Sequence, residues 1–385
     1  MRSFRFIDRW ASVLLAFVFS IRPAFADHAF EISGDAIGMW QRFQKGESAP
    51  GTSAARFNVR TDLAVQSNLS DTSQIYLQVR AGHGLGLQTA ADTFTGAVNS
   101  TDFELDKNAK GAGVSPVLLA QAWYQFDTGP VQWVMGKIDP FLFFDTNAYA
   151  DDESREFVNN VFVHNALLDS GSDAGVDAYG FSPGVVVSGH LNASNARSPV
   201  VRLGLFGHGH GPSFSGSLNQ PFSILQIQFD SDAFLRRHGR CEWYVWRNPQ
   251  LENPFNGQWE AHTGAGLSLS QSLTDSLGGF VRAGRRFQGT GVFNRFVTLG
   301  LRQTGLLWGR EQDVAGLALG VLNPSEGYRA SRQLAGNEKN VELFYDWRVN
   351  EHIEITPNVQ WIGNPAASNA VDHLNFVGLR AAYFF

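Results

Sequence analysis

Apolar and polar residues alternate along most of the chain with a period of two. Phe57, Val59, Thr61, Leu63 and Val65 share one face of such a run, while charged or amide side chains stand between them. In a β-strand, successive side chains point to opposite faces of the sheet. The alternation therefore predicts a chain built almost entirely of strands with one apolar and one polar face.

The same pattern recurs at intervals, and the intervals alternate between short and long. Further clear runs lie at residues 74–81, 120–126, 201–206, 225–229, 297–302, 341–349, 353–361 and 377–385. Runs of roughly 7–11 residues can cross a tilted bilayer core. Short turns such as Asp71-Thr72 and residues 127–130 and 350–352 alternate with longer loops, which is typical of outer-membrane barrels.

These features predict an all-β fold, a transmembrane antiparallel β-barrel of about 16 strands, with 14 or 18 as alternatives. A soluble β-sandwich or β-solenoid is the competing fold. A soluble fold of this kind would not explain why one face of the runs is apolar in the way that contact with lipid requires.

The two ends of the chain point to the same compartment. Arg2, Arg5 and Arg9 precede an apolar run at 11–21 and an Ala24-Phe25-Ala26 cleavage site. This pattern predicts a signal peptide at 1–26 that is cleaved after Sec-dependent export, with an uncleaved anchor as the alternative. We expect residues 27–385 to form a single barrel domain in the cell outer membrane.

The last run alternates Val377, Leu379, Ala381 and Tyr383 and ends on Phe385. We interpret it as the closing strand of the barrel. Phe385 is expected to form part of the signal that the barrel-assembly machinery reads during insertion, and lipid of the outer membrane is the predicted surrounding.

Charge and cysteine content narrow the choice of partners. Without residues 1–26 the chain has 26 basic and 35 acidic residues, a balance that argues against binding to nucleic acid. Cys241 is the only cysteine, so an intrachain disulfide is impossible and a cysteine-rich metal site is absent.

His208 and His210 form a weak metal motif without an evident third ligand. We expect neither a metal nor another cofactor.

The polar faces of the runs carry a set of arginines. A charged residue on the lipid face at mid-membrane would cost about 2–4 kcal/mol, so these residues are predicted to face the lumen. Their guanidinium groups suit sugar hydroxyls, and aromatic rings suit the C–H faces of sugars; solvated wall charges are the alternative interpretation. The predicted lumen-facing residues are Arg56, Arg60, Arg80, Trp123, Arg202, Arg282, Arg302, Arg348 and Arg380.

One long stretch, residues 139–160, breaks the alternation. Its phenylalanines need burial, so we expect it to fold into the lumen and narrow the pore, although covering the barrel from outside is an alternative. Phe141, Phe143 and Phe144 would pack on the wall, and Asp151 and Asp152 would cap a short helix. The predicted constriction residues are Asp139, Asp145, Asn147, Asp151, Asp152, Glu153, Phe143 and Phe144, with Asp145, Asn147, Asp151 and Glu153 bordering the opening.

Two segments carry a resemblance to a known family. The first contains Gly136-Lys137-Ile138-Asp139-Pro140, Phe143-Phe144-Asp145-Thr146-Asn147 and Asp151-Asp152-Glu153, and the second is 342–365 with Val377-Gly378-Leu379-Arg380. Both resemble the carbohydrate-selective porins of the OprB-like family. The resemblance implies a 16-stranded barrel that admits sugars, without assigning individual sugar contacts.

The predicted function is therefore that of a porin that passively admits mono- or oligosaccharides, and not that of an enzyme. An export channel for a secreted polysaccharide is the alternative that the same lining could serve. An outer-membrane hydrolase is a weaker alternative, since the sequence contains no G-x-S-x-G or H-E-x-x-H motif.

Overall fold

The computed structural model describes most of the chain after the predicted signal peptide. The described residues are 30–45, 53–84, 86–87, 92–94, 99, 117–176, 180–195, 198–207, 219–232, 236–331 and 336–385. The predicted signal peptide at 1–26, the boundary at residue 27, His208 and His210 lie outside these ranges.

The described strands form one closed antiparallel barrel in which each strand pairs with its neighbours in the sequence. This confirms the predicted fold class and the expected number of 16 strands. The strands are β1 (Phe30–Lys45), β2 (Ser53–Ser70), β3 (Ser73–Gly84), β4 (Val117–Thr128), β5 (Val131–Ile138), β6 (Ser182–His190), β7 (Val200–Phe206), β8 (Phe222–Ser231), β9 (Gly239–Glu252), β10 (Trp259–Ser272), β11 (Leu277–Gln288), β12 (Phe293–Thr304), β13 (Val314–Pro324), β14 (Glu338–Arg348), β15 (Ile353–Gly363) and β16 (His373–Phe384).

The barrel closes where the first strand pairs with the last. The register runs from Asp35 opposite Phe384 to Lys45 opposite Leu374. Gly34 and Phe385 extend it, because the N–H of each donates to the carbonyl of the other at 3.0 and 3.1 Å. Closure leaves no sheet edge with unpaired N–H and C=O groups, which a bilayer could not satisfy.

The two faces of the barrel differ in the way that the alternation predicts. Outward residues such as Leu299, Leu343 and Val377 are about half exposed. Their inward neighbours on the same strands, such as Thr298 and Glu342, are completely buried. An apolar outer band with a polar interior is the arrangement of a barrel that stands in lipid.

Among the described residues, helical structure is confined to short segments in the connections. Helix α1 (Asn160–Val163) lies between β5 and β6, and helix α2 (Glu326–Ser331) lies between β13 and β14. None of the helices among the described residues is long and apolar enough to cross a bilayer.

The helix cap predicted at Asp151 and Asp152 is not the one observed. Asn159 caps α1 by accepting from the N–H of Val161, whereas Asp152 accepts from the N–H of Ser154 within a turn that precedes the helix.

Aromatic rings on the inner wall lie against glycines of the adjacent strand. Gly316 on β13 stands directly opposite Phe344 on β14. A Cβ atom at Gly316 would lie 2.2 Å from the ring of Phe344 and 3.0 Å from that of Phe157. These two rings meet edge to face with centroids 4.9 Å apart. The absence of a side chain at 316 therefore makes room for the contact between the wall and the long β5–β6 connection.

We expect Gly316→Ala to lower the free energy of unfolding by about 1–3 kcal/mol, because overpacking forces both rings to move. Gly38→Ala is the matched control, since its Cβ would meet Phe57 at an ordinary 3.5 Å on the outer face. Urea unfolding of the refolded barrels measures the difference. Equal stability of the two variants would contradict the packing described here.

Candidate functional site

The described part of the β5–β6 connection that follows β5, residues 139–176, lies inside the barrel, and we call it the insert. Its polar groups bond to inward side chains of distant strands. The Thr146 hydroxyl donates to Glu242 of β9 at 2.5 Å, and the Asn147 amide donates to Ser268 of β10 at 3.0 Å. The inward fold favoured by the sequence is therefore the observed one.

A buried guanidinium holds the centre of the insert. Arg282 of β11 donates to the carbonyls of Phe162 at 2.7 Å and Asp145 at 2.9 Å, and to the Asp151 carboxylate at 3.0 Å. Its Nε lies 3.2 Å from the Asp145 carboxylate. Several parts of the insert that are distant in sequence thus converge on one side chain of the wall.

The Asp145 carboxylate is the buried partner of Arg282. It also accepts from the N–H of Asn165 at 2.6 Å and from the Tyr244 hydroxyl at 2.5 Å. Asp145 has no exposed surface and Asn147 is only 7% exposed. Both residues therefore differ from the expectation that they border the opening, because hydrogen bonds turn their side chains into the wall.

Two further wall residues hold the second half of the insert. Arg380 of β16 donates to the carbonyls of Glu153 at 2.6 Å and Glu156 at 3.1 Å. The Glu342 carboxylate of β14 accepts from the N–H groups of Val158 at 2.7 Å and Asn159 at 2.9 Å. Main-chain groups of a non-helical turn are thereby satisfied in the middle of the barrel.

The far end of the insert is fixed by Asp173. Its carboxylate accepts from Trp246 at 3.0 Å and from Arg286 at 2.7 Å, and it lies 2.8 Å from the Nδ1 atom of His262. Asp173 has no exposed surface. Because β9, β10 and β11 each contribute one of these partners, the carboxylate ties the insert to three adjacent strands.

The phenylalanines of the insert pack largely as expected. Phe141 and Phe144 are buried, and Phe144 meets the ring of Phe206 on the wall edge to face. Phe143 is half-buried and lies edge to face with Trp123 of β4, with centroids 6.5 Å apart. Phe143 is thus placed at the boundary between the insert and the accessible lumen.

The insert divides the lumen into a filled part and an accessible part. Glu242 on β9 and Thr298 on β12 face inward and are completely buried. Tyr76, Trp123 and Arg202, which face inward on β3, β4 and β7, remain partly exposed. The accessible space therefore reaches the wall at these three side chains.

All the predicted lumen-facing arginines lie on the inward register of their strands, but in different surroundings. Arg282 and Arg380 are completely buried under the insert. Arg56 is exposed and donates to the carbonyl of Ala55. The remaining ones pair with wall or insert groups: Arg60 with Asp62 and Glu153, Arg80 with Asp62, Arg202 with Gln228, Arg302 with Glu156, and Arg348 with Glu354.

An aromatic pair stands on the accessible wall. The rings of Tyr76 on β3 and Trp123 on β4 stack with centroids 4.8 Å apart and planes 16° from parallel. The Trp123 indole N–H donates to Gln121, whose amide donates to Gln78 at 2.6 Å. Gln78 and Gln121 are themselves buried, so their amides fix the orientation of the indole, and the two rings form the partly accessible surface.

The exposed edge of the insert carries the remaining predicted constriction residues. Asp139, Asp151, Asp152 and Glu153 are all half-exposed. Glu153 pairs with Arg60 at 2.6 Å. Although burial disfavours its charge, Arg60 and Arg80 outweigh that effect and lower the pKa of Glu153 to about 2. This carboxylate is therefore ionised at neutral pH.

Two other groups on this edge have raised pKa values. Burial raises the pKa of Asp151 to about 8, although Arg282 opposes the shift. Burial disfavours the cation of His164, but its hydrogen bond with Asp169 and the neighbouring carboxylates raise the pKa of His164 to about 9. At neutral pH the edge therefore presents an anion at Glu153, a cation at His164 and a protonated Asp151.

Several residues that build the site were not identified from the sequence. Glu342, Asp173, Arg286 and Tyr76 each lie on alternating or loop segments with nothing local to mark them. Their roles depend on partners that are as far as 184 residues away. For Glu342 and Tyr76, only the alternation pattern, which places both on the inward face, could have indicated a role in the site. Among the described residues, no group of three or more His, Cys, Asp or Glu side chains is arranged to hold a metal ion.

Comparison with known proteins supports the architecture. The C-terminal segment 242–385 matches the family model of the carbohydrate-selective porins of the OprB family. This confirms the resemblance recognised in the sequence. An uncharacterized protein of Nostoc sp. (strain PCC 7120) is 22% identical over 376 residues, which cover 88% of this chain and 63% of that protein. The chain thus spans less than two thirds of the length of this curated relative.

Solved structures show the same fold. The high-pH structure of Pseudomonas putida OprB superposes with a TM-score of 0.73 at 15% identity, covering 94% of this chain and 96% of that one. An anion-selective porin from Comamonas acidovorans gives a TM-score of 0.55 at 10% identity, covering 93% and 100%. At these identities the likeness establishes the porin architecture alone.

We expect Arg282→Met to detach the centre of the insert, because it leaves the Asp145 carboxylate buried without its cation. Breaking a buried pair in this way typically costs about 3–5 kcal/mol. Hydrogen exchange at 145–165 should accelerate strongly while the strands stay protected. Arg202→Met is the matched control, since Arg202 has the inward register but bonds only to Gln228 in the described structure. Unchanged exchange in the Arg282 variant would contradict this role.

A second prediction concerns pH. A carboxyl with a raised pKa binds a proton in the folded protein that the unfolded chain releases, so its contribution to stability falls as pH rises from about 4 to about 8. Protection of the insert should therefore decrease between pH 6 and 8, and Asp151→Asn should reduce that decrease. Asp139→Asn is the control, because the pKa of Asp139 is raised by burial only to about 6. If protection of the insert depends on pH in Asp151→Asn as it does in wild type, the Asp151 carboxyl is not the cause of that dependence.

Proposed function

We propose that the protein is a passive outer-membrane channel for small carbohydrates. The proposal rests mainly on the stacked rings of Tyr76 and Trp123, which stay partly exposed on the inner wall and are oriented by the buried amides of Gln78 and Gln121. The match of 242–385 to carbohydrate-selective porins supports the same class of solute. The channel carries out no chemical reaction, and solute moves along its concentration gradient.

The lining suits a sugar better than it suits a simple ion. A sugar ring has apolar C–H faces that can lie on an aromatic plane, and a rim of hydroxyls that exchange hydrogen bonds with amides, guanidinium groups and carboxylates. Arg80 and Asp62 are joined by two hydrogen bonds of 2.7 and 3.0 Å, so they offer a fixed dipolar pair with little net charge. Such contacts are weak enough individually to let the solute leave.

The end of the barrel near the β2–β3 turn provides a polar approach to this lining. A depression of about 450 Å³ lies there, with Asn68, Ser70, Gln74, Gln125 and Asp127 on its walls. Asn68 and Gln74 are hydrogen-bonded to each other at 3.2 Å. A hydroxyl-rich solute would form hydrogen bonds with amides and hydroxyls here as it moves to or from the aromatic pair.

Liposome swelling with a panel of mono-, di- and trisaccharides tests the proposal. Wild-type protein should admit sugars faster than polar solutes of equal size that lack a ring. Loss of the aromatic pair in Tyr76→Ala/Trp123→Ala should reduce this preference roughly two- to tenfold, which corresponds to about 0.5–1.5 kcal/mol of aromatic contact.

Phe126→Ala/Trp133→Ala is the matched control. These rings are stacked in the same way, with centroids 6.2 Å apart and planes 7° from parallel, but on the outer register of β4 and β5. This variant should keep the sugar preference. Swelling rates of wild-type protein that depend only on solute size would exclude a carbohydrate-selective channel.

A further inference from the structure

Two arginines face each other on the outer surface of the barrel. Arg285 on β11 is the direct cross-strand partner of Arg295 on β12, and both are exposed. In such pairs the Cβ atoms are about 4.5–5.5 Å apart, and like charges destabilise the sheet. Among the described residues, no carboxylate forms a salt bridge with either guanidinium. The repulsion within the pair is therefore not offset by an ion pair among the described residues.

A third arginine completes a pocket around this pair. Arg329 of α2 lies at the same place, where its Nε donates to the carbonyl of Pro324 at 3.3 Å. The pocket has a volume of about 220 Å³. Its walls are formed by Arg285, Asn294, Arg295, Pro324, Glu326 and Arg329. Three guanidinium groups against the one carboxylate of Glu326 give the pocket a net positive charge.

The height of the pocket on the barrel suggests what it binds. On β12 the outward positions run Leu301, Leu299, Val297 and then Arg295. On this strand the cation therefore follows directly after the apolar outward positions. The same change occurs on the neighbouring strands: Val245 to Arg247 on β9, Ala283 to Arg285 on β11, and Val341 to Lys339 on β14.

The cationic positions lie at one end of these strands. They are close to the loops that follow β9, β11 and β13, opposite the end where Phe30 and Phe384 lie. Near that other end, outward positions of the same strands carry Cys241, Leu277, Leu301 and Trp347. These four strands thus present cations near one end of the barrel and mainly apolar side chains near the other.

We propose that the pocket of Arg285, Arg295 and Arg329 binds the phosphate of a phosphorylated glycolipid of the lipid A type. Guanidinium forks match the geometry of phosphate oxygens, and charge-assisted bonds of this kind are strong. The acyl chains would lie along the apolar band below, which includes Val297. The pocket is also adjacent to Phe287, which is 63% exposed beside Arg285.

The position of the pocket indicates that the ligand is a lipid and not free phosphate. On the outer surface, a bound molecule would contact the apolar band as well as the cations. The inference depends on the outer-membrane location in the proposed function, but it does not depend on the transported solute. Sugar permeation and lipid binding can therefore fail independently.

The cost of the arginine pair leads to a distinctive prediction about stability. Without an anion, replacing both arginines removes a repulsion, so Arg285→Gln/Arg295→Gln should melt at a higher temperature than wild type in a neutral detergent. With bisphosphorylated lipid A present, wild type gains stability by binding, and the order of the two proteins should reverse. A merely structural role of the arginines would lower stability under both conditions.

Binding is measured by native mass spectrometry of the refolded full chain with bisphosphorylated lipid A. The double variant should bind at least about tenfold more weakly, while Arg285→Lys/Arg295→Lys keeps most of the binding because it keeps the charges. Arg42→Gln is the matched control, since Arg42 is exposed on the outward register of β1 near its loop end, away from the pocket. It should bind as wild type does.

Three outcomes would overturn the proposal. The first is equal binding of lipid A by wild type and by a double variant that still shows a heat-resistant barrel in gel migration. The second is equal binding of dephosphorylated lipid A, which would remove the role of phosphate. The third is stabilisation by inorganic phosphate to the same extent, which would make this a site for a soluble anion. Normal sugar permeation in the double variant would separate this site from the channel.

Discussion

The pairing of every backbone N–H and C=O group is the constraint on which the rest of this structure depends. Hydrocarbon offers no partner for a peptide group, and an unpaired one costs several kcal/mol. Sixteen strands satisfy the requirement only because β1 and β16 pair through eleven residues and close the ladder. Closure then separates the side chains into two environments: alternate residues meet lipid, and the residues between them meet the lumen.

The inward side chains of a 16-stranded wall do not fill the lumen, and the insert occupies part of the remaining space. It brings main-chain polar groups and carboxylates into buried positions inside the barrel, so each needs a partner from the wall. Arg282, Arg380 and Glu342 provide those partners, and all three are completely buried. These inward charges on β11, β14 and β16 thereby hold the insert, while Tyr76, Trp123 and Arg202 on β3, β4 and β7 stay partly exposed.

The outer surface meets a different requirement at each end. Apolar positions cover the middle, and the cations Arg247, Arg285, Arg295 and Lys339 follow the apolar band at the loop end. A membrane whose two leaflets differ in headgroup charge gives such an asymmetry a physical reason. The direct opposition of Arg285 and Arg295 is then explained as part of a binding surface, since sheet stability alone would disfavour it.

The sequence by itself determined the features that depend on local geometry. A period of two is a property of the extended chain, so the strands, their two faces and the inward register of arginines such as Arg302 could be predicted residue by residue. The number of strands followed from the spacing of the runs. The inward fold of the insert followed from its phenylalanines, because apolar rings exposed to water are unfavourable.

Tertiary structure alone decided which polar residues line open space and which are buried. Asp145 and Asp151 look alike in the sequence, yet Asp145 is buried by Tyr244 and Arg282, whereas Asp151 stays at the exposed edge. Arg282 and Arg80 share the inward register, but one holds the insert and the other remains beside the accessible lumen. These differences arise from contacts between segments far apart in the sequence, 99 residues for Asp145 and Tyr244 and 137 for Asp145 and Arg282. Local alternation carries no information about which strand will face the insert, because closing the barrel and folding the insert across it set those distances together.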